Sequence, residues 1–436
     1  TDKLAIEMLK QKYPESTGGV INAARIFYAF GLRISSKTGF QCMIIPYGVL
    51  TDTTSVNLRK HIFNNHSLIK VEAFPERDNT KRRVFEDVKM STAILLTSSQ
   101  KKDSVFDIGI SYERKISNNR ANFKTQDLIN LNPDLVQIPL TDSNSFELLS
   151  KIYRNENVVK LGSISSCLTG EVDMTFGKPA LTKNISDSLL LKGVQVDRFI
   201  IKTKQSEISQ GNIEFINIDI FTKIGSEKKI TDSKSKRIAL QGLTGVNEKH
   251  RIKATLIGEN TFLANSCNYL LEPKKLNLEL LLGWLNSSLL NFVFRTRSTS
   301  SNVNGYEVDN LPFINSESNK KIMDLSKKIL EIKNRNIIAE TKLLEKEIDS
   351  IIFKEFNLNK KEIGDIIALS PTQEGMLFHY LKEPQSDHYF EQLALEISAE
   401  IQKDTFEKAW NFVIAANEML RTLFRWEKVE NPVQIV

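Results

Sequence analysis

Between Leu343 and Phe378 the chain changes character. LLEKEIDSIIFKEFNLNKKEIGDI (Leu343 to Ile366) reads as the end of a long helix, a turn and a short closing helix. DIIALSPTQEGMLFHYL (Asp365 to Leu381) reads instead as a loop leading into a fresh amphipathic helix. Gly364, Asp365 and Ile366 suit both patterns, so the seam lies among them. Charge reverses at the same place. From Ile367 onward 6 Lys and Arg face 11 Asp and Glu, a net of −5, whereas the residues before it carry 53 against 42, a net of +11. At 436 residues the chain also exceeds what one compact core normally holds, so about two or three domains are expected.

The basic body before the seam suits a polyanionic partner; a lysine-rich surface without one gives the same charge, and charge leaves the two readings even. Hydrophobic content of 41% and charged content of 26% are ordinary for soluble globular protein. No apolar run approaches the roughly 18 residues that a membrane span needs, and no signal-peptide pattern opens the chain. Cys42, Cys167 and Cys267 are far apart without metal-type spacing, which predicts buried thiols in a reducing compartment and a cytoplasmic protein. The chain opens on Thr1 without Met and stops at Val436 straight after a strand-like PVQIV, so both ends read as cut.

From the N-terminus, GGVINAARIFYAFGLRIS (Gly18 to Ser35) has near-helical apolar spacing with Asn22 near its start. FQCMIIPYGVL (Phe40 to Leu50) is an apolar run halted by Pro46 and Gly48, which predicts a buried parallel strand. A short helix carrying Arg59 follows, then strands over Leu68–Phe74 and Met90–Thr97, with Lys81, Arg82 and Arg83 in the loop between them. This order predicts the back half of a doubly wound sheet. The segments NAARIFYAFGL, CMIIPYGVLT, NLRKHIF and VFEDVKMSTAILL, in that order, resemble the later portion of class I adenine-specific DNA methyltransferases. The resemblance implies S-adenosylmethionine as cofactor, a glycine-rich turn that holds it, and an Asn-Pro-Pro-Tyr loop for the flipped adenine. None of these motifs is in the chain. Asn132-Pro133 continues as Asp134-Leu135 and reads as a turn. No catalytic residue and no cofactor-binding residue is therefore assigned, and this chain alone is not expected to methylate.

Residues 98–140 are mixed and polar, ending in a connector strand at LVQIP (Leu135 to Pro139). Ser145–Tyr153 reads as a helix, and the segments from Lys160 to Leu271 alternate around glycine turns, predicting an irregular β-rich domain. LELLLGWLNSSLLNFVFRTRS (Leu278 to Ser298) is an apolar helix broken near Asn286 and Ser287, which read as backbone caps. GEVD (Gly170 to Asp173), LLKGVQVDRF (Leu190 to Phe199), KRIALQGL (Lys236 to Leu243), LNSSLL (Leu285 to Leu290) and the LEKEIDSIIF tail with NLNKKEI resemble a TaqI-like C-terminal specificity domain. Phe199 stands where Tyr is common in that family, and Phe356-Asn357 where Tyr-Gly is usual.

That resemblance implies double-stranded DNA as partner. Sequence choice needs side chains at base edges and a larger set on phosphates. Lys192, Arg198, Lys234, Lys236, Arg237, Arg251, Lys253, Arg295 and Arg297 are the phosphate candidates. Arg237, Arg251 and Arg295 could instead read guanine, and Gln241, Asn265 and Asn302 adenine. For any single member the plain alternative is a solvated lysine or a local ion pair. Lys320–Phe353 approaches a heptad seam interrupted at Asn336, and reads as a helix packed on its own domain or as a partner-binding helix. Glu345, Glu347 and Asp349 read as a solvated acidic face, and no metal site is expected.

Past the seam, residues 369–436 resemble the start of a condensation domain of nonribosomal peptide synthetases. The resemblance implies carrier-bound aminoacyl substrates and a His-His-x-x-x-Asp-Gly motif, which is absent; His379 and His388 read as packing or surface residues. A fragment, a truncated gene product and a recombination scar all fit. The expected organisation is an α/β protein. Residues 1–105 would form a partial doubly wound methyltransferase sheet and 106–140 a connector. Residues 141–318 would be a mixed α+β recognition domain, 319–366 a helical tail and 367–436 an incomplete condensation domain. Three functions remain open: the specificity portion of a methyltransferase of a restriction–modification system, a specificity protein completed by a separate cofactor-bearing subunit, or a synthetase subunit whose basic region is a docking module.

Overall fold

The computed structural model describes residues 3–77, 79–102, 105–118, 120–245, 248–298 and 301–358, with 366–368, 402–416, 423–425 and 433–435. The chain divides into two compact units, Thr1–Leu358 and Asn359–Val436.

The first unit opens with α1 (Lys3–Lys12) and α2 (Ala23–Ile34). Asn22 caps α2 by accepting from the Ala24 N–H, satisfying one of the amides a helix start leaves open. A five-stranded sheet follows: β1 (Phe40–Pro46), α3 (Val56–Asn65), β2 (Ser67–Phe74), β3 (Thr92–Ser98), β4 (Val105–Ile110) and β5 (Arg120–Lys124), in the order β1-β3-β2-β4-β5. β3 runs antiparallel between β1 and β2, β4 pairs parallel with β2, and β5 closes the far edge antiparallel. The expected buried parallel β1 is corrected: its one neighbour among the described residues is antiparallel. Phe40, Cys42 and Ile44, alternate residues on one face, are exposed. Cys42 is thus not the buried thiol expected, while Cys167 and Cys267 are.

β4 and β5 lie in the stretch read as mixed and polar. Arg120 holds them to the sheet: it donates to Glu72 on β2 at 2.5 Å and to Asp107 on β4 at 2.8 Å, and Glu72 is nearly fully buried. An aromatic ladder continues outward, with ring centroids at 6.1 Å for Phe63–Phe106, 5.8 Å for Phe106–Phe123 and 4.0 Å for Phe123–Phe146. α4 (Thr125–Leu131) leads to the Asn132-Pro133 turn. LVQIP is no strand. Arg59 on α3 donates to the Val136 and Leu135 carbonyls at 2.9 and 2.8 Å and to Val49 at 2.8 Å, and Val136 sits at φ +44°.

The region beyond the connector starts at α5 (Ser143–Arg154), capped by Asp142. Short strands come next: β6 (Val158–Lys160), β7 (Leu168–Thr169), β8 (Leu181–Thr182), β9 (Ser188–Leu191), β10 (Val196–Asp197), β11 (Ile200–Ile201) and β12 (Glu214–Ile216). α6 (Ile218–Ile224), α7 (Glu227–Ser233), β13 (Arg237–Gln241), β14 (Ala254–Ile257), β15 (Phe262–Leu263) and β16 (Cys267–Leu271) complete two four-stranded sheets, β15-β9-β12-β8 and β14-β13-β16-β7. Each has its own apolar core, one around Val172, Leu190, Ile216 and Phe262, the other around Val196, Ala239, Leu263 and Tyr269.

α8 (Leu278–Leu285) and α9 (Ser288–Arg297) are separated as expected, and Ser287 caps α9. Asn286 ends α8, its N–H donating to the Leu282 carbonyl at 3.1 Å, and its side-chain amide also accepts from the Ala254 N–H and donates to the Ala254 carbonyl, extending the edge of β14. After α10 (Gly305–Asp309) and β17 (Pro312–Ile314), the tail is two helices, α11 (Asn319–Arg335) and α12 (Lys342–Glu355). α11 packs on α8, where Gly283 lets Ser326 and Ile322 approach within reach of a Cβ. Of the acidic face, Glu347 stays substantially solvated, whereas Glu345 and Asp349 are drawn into the protein. Glu345 pairs with Arg198, Glu347 with Lys321 at 2.7 Å, and Asp349 accepts from the Ser288 N–H at 2.7 Å.

In the second unit, β18 (Ile366–Ala368) and β19 (Leu423–Arg425) flank β20 (Val433–Ile435), and α13 spans Lys403–Ala416. The amphipathic helix expected before Leu381, with His379 and His388, lies outside the described residues.

Candidate nucleic-acid interface

β13 delivers Gln241 to one end of its sheet, opposite Cys267 on β16. The chain must then pass hard against the Ser266 carbonyl. The Gly242 N–H donates to it at 2.8 Å, and a Cβ at Gly242 would stand 2.7 Å from the same oxygen. Gly193 approaches that carbonyl equally closely and donates its N–H to the Ser266 hydroxyl at 3.0 Å. A second ladder joins this end: Val303 N–H donates to Gly242, Thr244 N–H to Ser301, and Leu243 bridges to Asn302. Asn265, Gln241 and Asn302, drawn from three separate stretches, therefore share one end of the β13–β16 sheet. Asn265 and Asn302 are exposed and Gln241 is half-exposed. The Gln241 amide N–H is held by the Leu243 carbonyl at 2.8 Å, which orients the side chain.

Arg295 extends this end. Arg251 donates to Thr244 Oγ1 at 2.8 Å and lies over the Phe294 ring at 5.3 Å, so the last turn of α9 adjoins the Leu243–Asn302 ladder. Arg295 itself is half-exposed.

Of the other basic candidates, Arg251 and Lys253 also lie at this end, the Lys253 carbonyl accepting from the Gln241 N–H at 3.0 Å, but both side chains are engaged within the protein. Arg237 is fully buried, paired with Glu171 at 2.6 Å and donating to the Ser235 carbonyl at 2.9 Å. Arg251 and Arg297 are also buried; Arg297 donates to the Tyr153 hydroxyl at 2.7 Å and to Gln137 at 3.2 Å, linking α9 to the connector. A guanidinium enclosed in this way has no open side for a base edge. Arg198 is half-buried between Glu345 and His250. Lys192 pairs with Glu214 at 3.1 Å and Lys253 with Glu248. Lys234 and Lys236 are exposed, but they precede β13 and so lie at the end opposite Gln241. Sequence reading missed Leu243, Gly193 and Ser266, which build the amide-bearing end. The glycines at Gly193 and Gly242 were the available signal.

S-adenosylmethionine does not fit the described residues. Their one Gly-Gly turn, Gly18–Gly19, follows a helical turn, not a strand, and a Cβ at Gly18 would stand 2.1 Å from the Thr54 carbonyl. No step through that cofactor is derived. Among the described residues no group of His, Cys, Asp and Glu could hold a metal ion, and no helix is long and apolar enough to cross a membrane.

The fold is similar to that of the Type IIL restriction-modification enzyme MmeI in complex with DNA, with a TM-score of 0.53 at 12% identity over 88% of this chain and 56% of that one. Residues 363–436 match the Condensation domain family. Over 79 residues, 18% of this chain, the sequence is 40% identical to Surfactin synthase subunit 2 of Bacillus subtilis (strain 168). Over 78 residues, also 18% of it, the sequence is 31% identical to Tyrocidine synthase 2 of Brevibacillus parabrevis. The chain spans 2% of the length of each synthetase. It thus shares the fold of a restriction-modification enzyme over most of its length and ends in a stretch related to peptide synthetases.

Proposed function

We propose that this chain is the DNA-recognition portion, with part of the catalytic sheet, of an adenine-specific DNA methyltransferase belonging to a restriction–modification system. The observation that carries the reading is the convergence of Gln241, Asn265 and Asn302 on one solvent-facing end of the β13–β16 sheet. The donor and acceptor of a side-chain amide match adenine's N7 and N6 in the major groove. MmeI's complex with DNA supports the same reading through the shared fold. Arg295 is the cation best placed for a phosphate, and exposed lysines add a diffuse field.

The S-adenosylmethionine site and catalytic loop would come from an additional polypeptide segment or subunit. β1 supports this: a seven-residue apolar strand with one partner among the described residues, next to exposed Phe27, Phe30 and Ile34 of α2, is a template for further strands. The test is recovery of duplexes from a random-sequence pool by the full chain. Enrichment of one short sequence is expected; uniform recovery contradicts the reading. The second reading, a peptide-synthetase subunit meeting carrier proteins, rests on the family match of residues 363–436 and concerns that stretch alone.

A further inference from the structure

Phe176 carries the most exposed aromatic ring among the described residues, at 81%. A single exposed apolar side chain is ordinary on a protein surface; this one is set apart by the turn that holds it and by its neighbours. Val172 and Ala180, on either side of it, belong to a buried core against which Met174 also packs. The Asp173 carboxylate accepts from the Thr175 and Phe176 N–H groups at 2.8 and 3.2 Å, and the Gly177 N–H donates to the Asp173 carbonyl at 2.7 Å. A Cβ at Gly177 would stand 2.7 Å from Val172 Cγ1, so the turn accepts glycine and little else. The turn is also tied to the amide-bearing end: the Asn265 N–H donates to the Val172 carbonyl at 2.8 Å, and the Asn265 amide reaches Asp173 at 3.5 Å.

We infer that Phe176 is a wedge that stacks on a base step of the duplex beside the base met by Asn265; this rests on the DNA-recognition reading above. The occupant is argued from what surrounds the ring. Thr175, Lys178 and Asn265 are all exposed and polar, so the ring does not belong to the continuous apolar patch that a protein partner would cover. A flat apolar face flanked by hydrogen-bonding edges and phosphates is what a nucleobase stack presents, and rigid apolar side chains are used as wedges in such steps.

The experiment measures binding of the full chain to duplexes it retains from a random pool, as a function of salt. Phe176→Ala is expected to weaken binding by roughly 5- to 150-fold with an unchanged salt slope, because a ring releases no counterions. Its melting temperature should match the parent protein's, since the side chain is outside the core. Phe176→Trp should keep the affinity and show indole quenching on duplex addition, whereas Ile338→Trp, at an equally exposed turn, should not. If the parent chain binds duplex and Phe176→Ala binds equally well, or the Phe176→Trp indole is not quenched, the wedge is overturned and the recognition reading stands. If the parent chain binds no duplex, both fall together.

Discussion

Arg237 and Glu171 meet at 2.6 Å with neither side chain exposed to solvent. The pair joins the start of β13 to the GEVD segment, and the second carboxylate oxygen accepts from the Leu263 N–H at 2.8 Å. Burial pushes the Glu171 carboxyl up, and the guanidinium pulls it back. An arginine that the sequence offered as a guanine reader thus sits inside the protein, behind the face that carries Gln241.

Removing one partner leaves an uncompensated buried charge. Arg237→Met should lower stability by roughly 3–5 kcal/mol, while Arg237→Met with Glu171→Leu should recover much of that loss. Urea denaturation followed by circular dichroism measures both. A single variant as stable as the parent would show the pair to be dispensable.

His250 gives the pH dependence a direction. Burial, then the charge of Arg198, pushes its pKa down to about 3. The unfolded chain takes up that proton near the ordinary value of about 6.5 and the folded chain does not, so stability falls as pH drops from about 6.5 toward 3. Glu345, held low by Arg198 despite burial, loses its contribution as it protonates, over the acid end of the same range. His250→Gln should flatten the upper part of the profile. Melting temperatures across that range test it, and an unchanged profile would contradict the assignment.

Asn357 lies at φ +53°, and Leu358 N–H donates to Phe353 at 2.9 Å, closing α12 with a left-handed residue. Asparagine tolerates this conformation and glycine suits it. Asn357→Ala should cost about 1 kcal/mol, and Asn357→Gly should match or slightly exceed the parent. Chemical denaturation distinguishes the two; equal losses would mean that the conformation does not matter.

Local signals were legible in the sequence: the Asn22 and Ser287 caps, the break between α8 and α9, and the Asn132-Pro133 turn each depend on neighbouring residues. Long-range pairings were not. VFDIGI and RANFK look polar and irregular until Arg120 meets Glu72 and Asp107. KSKR before β13 reads as a basic surface, yet Arg237 turns inward because Glu171, far off in sequence, waits there. The amides are the reverse case. Residue type suggested Gln241, Asn265 and Asn302 singly, and only the close approaches at Gly193 and Gly242 put them on one surface.

Those three side chains and Arg295 should separate cleanly in binding. Gln241→Ala, Asn265→Ala and Asn302→Ala should each cost about 1–3 kcal/mol on the preferred duplex and relax preference at one base. Arg295→Gln should weaken all sequences alike and reduce the salt slope by about 1. Anisotropy titrations on matched and mismatched duplexes measure this. A uniform effect of the amide variants would remove them from base reading.

The most direct measurement is the affinity of the full chain for duplex DNA against salt concentration. Each phosphate engaged contributes about −0.9 to the slope of log K against log salt, so Arg295 with the exposed lysines predicts a clearly negative slope. A flat slope, or no binding even in dilute buffer, would contradict DNA recognition and leave a docking role as the better account.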